Sequence, residues 1–473
     1  MRRRPPTPSH RRTWAAALCC LGLLATGAAN TPAAEPAARA TALPPYLDTR
    51  HSFAERAADL VSRMTFAEKA QQLHTNRAPA IPRLGVQQYT YWNESQHGVN
   101  RLGANVNDGP ASGGVHATSF PTNFAAAMTW DRDLVYRAAT AISDEVRGFL
   151  DKSLWGTGQN NIGASPDDYG SLTFWAPTVN MDRDPRWGRT DEGFGEDPYL
   201  VAALAGAYVN AYQGQTEDGT PREKYLKVAA TAKHYALNNV EHNRMGISSD
   251  TTDNDLHDYY TSQFKSLIEK SLVAGLMTSY NAINGTPSAA NTYTTSQIAQ
   301  RGYGFSGYIT SDCDAVGTTY QSSPQGHDWA PPGWRTDGEG TQATWTRDDD
   351  GQRVSGAAGG QAYALRSGTH LNCTGQEATT PNLTEAVEAG VLSDGVIDTA
   401  LVHLFTVRMR TGEFDRADEV PYTRIGKDVI ESPEHGSWPG RWPTTPWYSC
   451  RTTNCPPTKA RCCRWTSRTS TRW

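Results

Sequence analysis

Apolar positions along the chain fall into two spacings. From Phe53 to Met64 they recur at helical intervals, through Ala54, Ala57, Leu60 and Val61. Thr65 follows, with Glu68 three residues on, the pair by which a helix start caps itself. Downstream the apolar residues come instead in short runs: Phe174–Met181, Leu226–Ala230, Ala274–Tyr280 and Gly307–Ser311. Such short continuous runs fit strands buried on both faces. Stretches of helical spacing separate them, at Asp197–Tyr212, Asp255–Lys270 and Ser296–Arg301, and return at Leu383–Ala389 and Asp394–Arg410. Strand, polar loop and helix in repeated order predict an α/β fold with a parallel sheet. The chemically capable residues cluster just after the apolar runs. A (β/α)8 TIM-like barrel opens its active site there, and a doubly wound sheet also binds ligands there. No glycine-rich phosphate loop follows an early strand, which leaves the barrel as the expected fold.

The ends differ from the body. Arg2, Arg3, Arg4, Arg11 and Arg12 precede an apolar run from Trp14 to Ala28 that is too short to span a bilayer. Residues 1–29 therefore read as a signal peptide, with the Arg11–Arg12 pair also permitting twin-arginine export. The mature protein is expected outside the cell, with no membrane segment left after cleavage. Residues 30–43 form an Ala/Pro-rich spacer, and 44–415 the barrel. Residues 416–435 read as a linker toward a second domain. Within the barrel, Gln321–Gly360 is polar, rich in Gly, Asp and Thr, and predicts a long loop. Residues 436–473 hold five Trp and four Cys but no Asp, Glu, Ile, Leu or Val. A packed domain needs aliphatic filling, so this tail is expected to be unstructured, the product of a reading-frame change.

Composition narrows the class. With 38% apolar and 20% charged residues the chain is a soluble globular protein. The net charge is −5, yet both ends are basic, so the body between them is strongly acidic. That argues against nucleic-acid binding, which needs basic surface to meet phosphates. The 14 Trp and 20 Tyr suit sugar stacking, although core packing accounts for them equally. Of eight Cys, only Cys313 and Cys373 lie in the body. The tail cysteines lack the paired spacing of a zinc site, and no metal is expected.

Four clusters could carry chemistry. Tyr308-Ile-Thr-Ser-Asp312-Cys-Asp314 ends a strand in an acid, as a nucleophile or base requires, although a helix-capping loop acid fits the pattern too. Lys233-His234 could grip hydroxyls and keep a nearby carboxylate ionised, or be a solvated lysine beside a packed histidine. The run from Asp182 to Arg189, followed by Glu192, is too dense in polar groups for a plain linker. Trp92-Asn-Glu94 precedes His97. No Ser–His–Asp, phosphate-loop or HExxH pattern occurs.

Taken together, "RAADLVSRMTFAEKAQQL", "YWNESQHGV", "PRWGR", "FGEDPYL", "KHYALNN", "MTSYNAINGTP" and "GYITSDCDAV" resemble the successive signatures of glycoside hydrolase family 3, across residues 45–415. The resemblance implies a retaining exo-glycosidase with Asp312 as nucleophile. Glu94, Arg189, Lys233 and His234 would bind the hydroxyls of the first sugar, and Tyr280 would approach the nucleophile side. Cys313 beside the nucleophile and the "GTHLNC" stretch with Cys373 are similar to the β-xylosidase and α-L-arabinofuranosidase subgroup, which implies a Cys313–Cys373 disulfide and β-xylosides of plant cell-wall xylan as substrate. A glycoside is the only partner implied, and no cofactor is required. In two-domain relatives the acid/base Glu comes from a following α/β sandwich domain, which the resemblance implies is essentially missing here. In single-barrel relatives an Asp–His dyad sits on a glycine-containing loop, whereas here that loop reads Tyr235-Ala-Leu-Asn-Asn-Val-Glu-His242-Asn. The acid/base is thus unassigned, and the alternatives are a catalytically impaired sugar-binding remnant, or β-glucosidase or α-L-arabinofuranosidase specificity.

Overall fold

The computed structural model describes residues 43–75, 78–102, 104–105, 116–150 and 171–437. The expected signal peptide and all of the spacer but Leu43 lie outside the described residues, as does the tail beyond Ser437.

Helices α1 (Phe53–Ser62) and α2 (Phe66–Gln71) both begin with a reciprocal cap. The Ser52 hydroxyl accepts the Glu55 N–H while the Glu55 carboxylate accepts the Ser52 N–H, and Thr65 and Glu68 repeat the arrangement. Each cap satisfies donors that a helix start otherwise leaves empty, for about 1 kcal/mol.

Four parallel strands form the central sheet: β1 (Thr173–Phe174), β2 (Ala229–Tyr235), β3 (Gly275–Thr278) and β4 (Tyr308–Thr310), side by side in that order. Backbone hydrogen bonds carry the sheet past both edges. Beyond β4, Ser311 N–H donates to Leu371 C=O (2.8 Å), and Asn372 N–H to Leu73 C=O (2.9 Å). Beyond β1, Trp175 N–H donates to Asn93 C=O (2.9 Å), and Tyr91 N–H reaches Thr75 C=O (3.2 Å). The ring closes, giving a TIM-like barrel. Among the described residues the ring is built from extended segments around 73–75, 89–93, 173–179, β2, β3, β4 and 370–373. The segment at 86–89 runs antiparallel to 78–81. Closure explains the continuous apolar runs: one face of each strand fills the barrel and the other meets helices, so Ala232, Leu276, Tyr308 and Ile309 are fully buried.

The helices divide the packing in two. On one side α3 (Arg132–Phe149), α4 (Pro198–Tyr212) and α5 (Ser262–Ser271) enclose Phe174, Tyr235, Phe264 and Leu267. On the other, α1, α6 (Gly356–Ser367), α7 (Thr380–Glu388) and α8 (Asp394–Arg410) surround Leu73, Tyr91, Tyr308 and Trp345. Burying one such side chain contributes about 1.5–3 kcal/mol.

The stretch 321–360 is not the structureless loop its composition predicts. Strands β5 (Trp334–Asp337), β6 (Thr344–Arg347) and β7 (Arg353–Ser355) form an antiparallel meander, and α6 starts at Gly356. Trp345 and Val354 pair across it, and Trp345 packs edge-on against Trp329 and Tyr363. Gly338, Gly340 and Gly351 supply the positive-φ turns between these strands, which gave the segment its loop-like composition.

The segment read as a linker, 416–435, folds back on the barrel. Arg147 of α3 lies over the Tyr422 ring (5.4 Å), and His435 Nδ1 sits 2.9 Å from the buried Glu145 carboxylate. Just before it, a buried ion pair between Arg56 of α1 and Asp415 joins the start of the barrel to its end, and the Tyr225 hydroxyl donates to the same carboxylate (2.8 Å). Removing one partner of such a pair leaves an uncompensated buried charge, at about 3–5 kcal/mol. No helix among the described residues is long and apolar enough to cross a membrane.

Candidate active site

The strand ends converge. Tyr308-Ile-Thr is short, β-branched in part and buried on both faces, and its chain is paired on both sides as far as Asp312, whose N–H donates to Thr278 C=O (3.1 Å). The Asp312 side chain therefore emerges at the barrel mouth from a fixed backbone. Its Oδ1 accepts the Cys313 N–H (2.8 Å). Its Oδ2 is buried and makes no hydrogen bond among the described residues, with His234 Nε2 3.6 Å away.

Two neighbouring strand ends supply cations. Lys233 and His234 lie near the end of β2, with their neighbours in register against β3. Lys233 Nζ donates to both oxygens of Glu94 (3.1 and 3.0 Å), and Trp92 Nε1 donates to Glu94 as well (3.3 Å). Arg189, in the loop after β1, grips Glu192 in a two-point contact (2.6 and 2.7 Å), and Glu192 also accepts from Thr178 (3.2 Å). The remaining Arg189 nitrogen points to His234 Nε2 at 3.5 Å.

The His234 tautomer follows from its partners. Asn180 Oδ1 accepts the His234 backbone N–H, and the ring Nδ1 stands 2.9 Å from the same oxygen. Asn180 Nδ2 donates to His234 C=O (3.0 Å), which fixes the amide orientation. Nδ1 thus carries the proton and Nε2 is the acceptor. Burial, then the charges of Arg189, Lys233 and Arg244, hold His234 well below its ordinary pKa, so it is neutral. For Asp312, burial raises the pKa, while the Cys313 amide and the Lys233, Arg189 and Arg244 cations oppose the rise. Burial, followed by the Asp312 charge, also raises the Tyr280 phenol, which keeps it protonated.

Asp312, Lys233, His234, Arg189, Glu94 and Tyr280 are thus brought to one mouth. Cys313 and Cys373 form a disulfide there, with sulfurs 1.98 Å apart. Sequence reasoning passed over Arg244. Its guanidinium lies 4.4 Å from the Tyr280 ring centroid and donates to Glu241 (2.6 Å), which in turn accepts from Trp187 Nε1 (2.9 Å). Only the Glu241–Arg244 spacing of three could have pointed to that pair, and the contact with Tyr280 is made by folding. Among the described residues no group of His, Cys, Asp or Glu is placed to hold a metal ion.

A protein-family model, the glycosyl hydrolase family 3 N terminal domain, matches residues 160–325, the span that carries Arg189, Lys233, His234, Tyr280 and Asp312. The barrel is a family 3 glycoside hydrolase domain. Over 408 residues the chain is 34% identical to the probable β-D-xylosidase 7 of Arabidopsis thaliana, covering 85% of this chain and 47% of that protein. Over 395 residues it is 32% identical to a probable exo-1,4-β-xylosidase of Aspergillus fumigatus, covering 82% and 44%. The solved structure of a family 3 exo-β-xylosidase in complex with a xylobiose aziridine probe superposes with a TM-score of 0.68 at 27% identity, covering 84% of this chain and 45% of the other. The family 3 chain thus spans about half the length of the curated relatives it matches.

Proposed function

We propose that this protein is an exported, retaining exo-glycosidase that hydrolyses terminal β-D-xylosides through a covalent intermediate on Asp312. The observation that supports this most directly is the asymmetry of the Asp312 carboxyl. One oxygen is held by the Cys313 amide and the other is left without a hydrogen bond at the mouth. A nucleophile needs one oxygen fixed for aim and one with free lone pairs for attack. The xylosidase names of the relatives support the choice of sugar.

In this reading Oδ2 attacks the anomeric carbon through an oxocarbenium-like transition state, the bond to the leaving group breaks, and water later cleaves the ester with retention. Lys233, Arg189 and Arg244 oppose the rise that burial causes in the Asp312 pKa. Glu94, Lys233, Arg189 and His234 Nε2 meet the sugar hydroxyls. Tyr280 keeps its proton and donates toward the nucleophile side.

The acid/base is a separate matter. Among the described residues, Glu94 is engaged by Lys233, Glu192 by Arg189, and Glu241 by Trp187 and Arg244, whereas Asp182 keeps one oxygen without a partner. With those three carboxylates tied up by donors, the second reading is a barrel whose first step works only on leaving groups that need no proton.

The deciding experiment compares 2,4-dinitrophenyl and 4-nitrophenyl β-D-xyloside, with Asp312→Ala alongside. A burst of dinitrophenolate that the variant abolishes, with slow nitrophenyl turnover, supports a working nucleophile without its acid. Comparable turnover of both substrates would place an acid in the chain and sink the second reading. A folded protein that releases neither phenol would overturn the proposal.

A further inference from the structure

Cys373 touches the backbone on both sides of Asp312. Its sulfur is bonded to Cys313, the residue whose N–H holds Asp312 Oδ1. Its own N–H donates to the Ser311 hydroxyl (3.0 Å), one residue before Asp312. Its carbonyl accepts the Asp314 N–H (3.3 Å), two residues after. The next residue, Thr374, donates to Asp314 Oδ1 (2.6 Å). Asp314 stands in the left-handed region (φ +66°), a conformation that a non-glycine residue keeps only when its surroundings hold it. Cys373 is fully buried, whereas Asp314 faces outward.

The strand itself ends at Thr310. Beyond it, Ser311 and Asp312 are still paired to neighbouring strands, but Cys313 takes part in no such pairing. The amide that aims the nucleophile is thus the first one the sheet does not hold. The sulfur bridge and the three hydrogen bonds around Cys373 tie it to the neighbouring chain, beside a turn in which Ala315 N–H donates to Asp312 C=O (3.1 Å).

We infer that the Cys313–Cys373 disulfide is a positioning element for the nucleophile: it fixes the Cys313 amide against Asp312 Oδ1, and its reduction detunes the attack without unfolding the barrel. This rests on the reading of Asp312 as nucleophile. Reduction by a phosphine is balanced: two electrons pass from phosphorus to the S–S bond, the two sulfurs take protons as thiols, and water supplies the oxygen of the phosphine oxide. The bridge touches no sugar-binding side chain named above, so its loss is expected in the covalent step rather than in binding.

The test uses 2,4-dinitrophenyl 2-deoxy-2-fluoro-β-D-xyloside. Asp312 displaces dinitrophenolate, which carries off the electron pair of the broken bond, and the fluorine slows hydrolysis so that the ester accumulates. Trapping is followed across pH for the wild-type chain before and after tris(carboxyethyl)phosphine, after re-oxidation, and for Cys313→Ser/Cys373→Ser. A Ser311→Ala chain keeps the bridge and removes only one contact of Cys373. Circular dichroism reports folding.

Expected are a trapping rate constant at least tenfold lower in the reduced and double-serine chains, with half-saturation within twofold. The acid limb of the pH profile moves to higher pH, because a carboxylate that loses an amide donor ionises less readily. Ser311→Ala gives a smaller change of the same kind. Re-oxidation restores the wild-type rate, and the double variant ignores the reductant. A wild-type chain that is trapped, beside folded bridge-less chains trapped equally fast with the same acid limb, overturns the brace alone. If the double variant does not fold, the same rate and limb in reduced and re-oxidised wild type overturn it as well. No trapping of wild type overturns the nucleophile assignment, and the brace with it.

Discussion

The loop after β4 and the loop after β1 each hold a carboxyl by one backbone amide, Asp312 by its own neighbour and Asp182 by a residue thirteen positions on, and the two groups meet different surroundings. Asp312 has one oxygen on the Cys313 amide (2.8 Å) and the other buried without a partner. Asp182 has one oxygen on the Gly195 amide (2.9 Å) and the other buried without a partner. Burial raises both. Beyond that they diverge. Asp312 faces the cations of Lys233, Arg189 and Arg244. Asp182 has only the Gly195 amide to oppose its burial, with the like charge of Asp191 adding to the rise, and is pushed up to about 7. Burial alone therefore does not set the two carboxyls apart: the cations around Asp312 oppose its rise, and no cation does so for Asp182.

The sharpest way to break the contrast is to delete its active member. Asp312→Ala removes the carboxyl that, in the proposed reading, attacks the sugar. The dinitrophenolate burst should fall on the order of 10⁴-fold or more, with the melting temperature near that of wild type. A surviving burst would move the nucleophile elsewhere and leave Asp312 as a second Asp182.

A smaller effect comes from making Asp312 more like Asp182. Arg244→Met takes away one of its three cations and frees the Glu241 carboxylate that Arg244 had paired. Losing a nearby positive charge favours the neutral acid, so the Asp312 pKa rises. The acid limb of the pH profile should move to higher pH, with the burst rate falling on that limb and unchanged on the plateau above it. Arg244 also lies on the Tyr280 ring, so an unshifted limb with a lower rate at every pH would mean that Arg244 acts by placing Tyr280, not through its charge.

What was legible in the sequence follows the same division. The barrel was readable because closure buries both faces of each strand, which leaves unbroken apolar runs such as Tyr308-Ile-Thr with their acids just after them. The caps of α1 and α2 were readable because they are local, spanning three residues. Asp312, Lys233, His234, Arg189, Glu94 and Tyr280 could be placed from motif resemblance, and folding gathers them at one mouth. Partnerships across long separations were not readable. Arg244 reaches Tyr280 and Asp182 meets Gly195 only once the loops are wrapped. The meander at 334–355 was hidden by its turn glycines, which outweigh the Trp345–Val354 pair in composition. The 416–435 segment looked like a linker because its contacts, Tyr422 with Arg147 and His435 with Glu145, are isolated anchors without periodicity.

The smallest effect belongs to Asp182 and reads out in stability. Its folded pKa of about 7 lies above the ordinary value of 3.8. Between those values the folded chain binds more protons than the unfolded one, so this group makes stability fall as pH rises from about 4 to 7. Below 4 both states are protonated and it contributes nothing. Above 7 the full cost of burying the charge remains. Asp182→Asn removes that cost while the amide oxygen can still accept the Gly195 N–H. The new amide nitrogen takes the place of Oδ1 over Gly193, where an added Cβ would lie only 2.2 Å from that oxygen. Melting temperatures of the two chains should agree at pH 4 and separate by pH 8, with the variant higher by about 1–2 °C once partial solvent contact is discounted. Equal pH dependence in both chains would mean that Asp182 ionises as a surface carboxylate does. Its difference from Asp312 would then lie in access to water, and the cations at the mouth would no longer be needed to explain it.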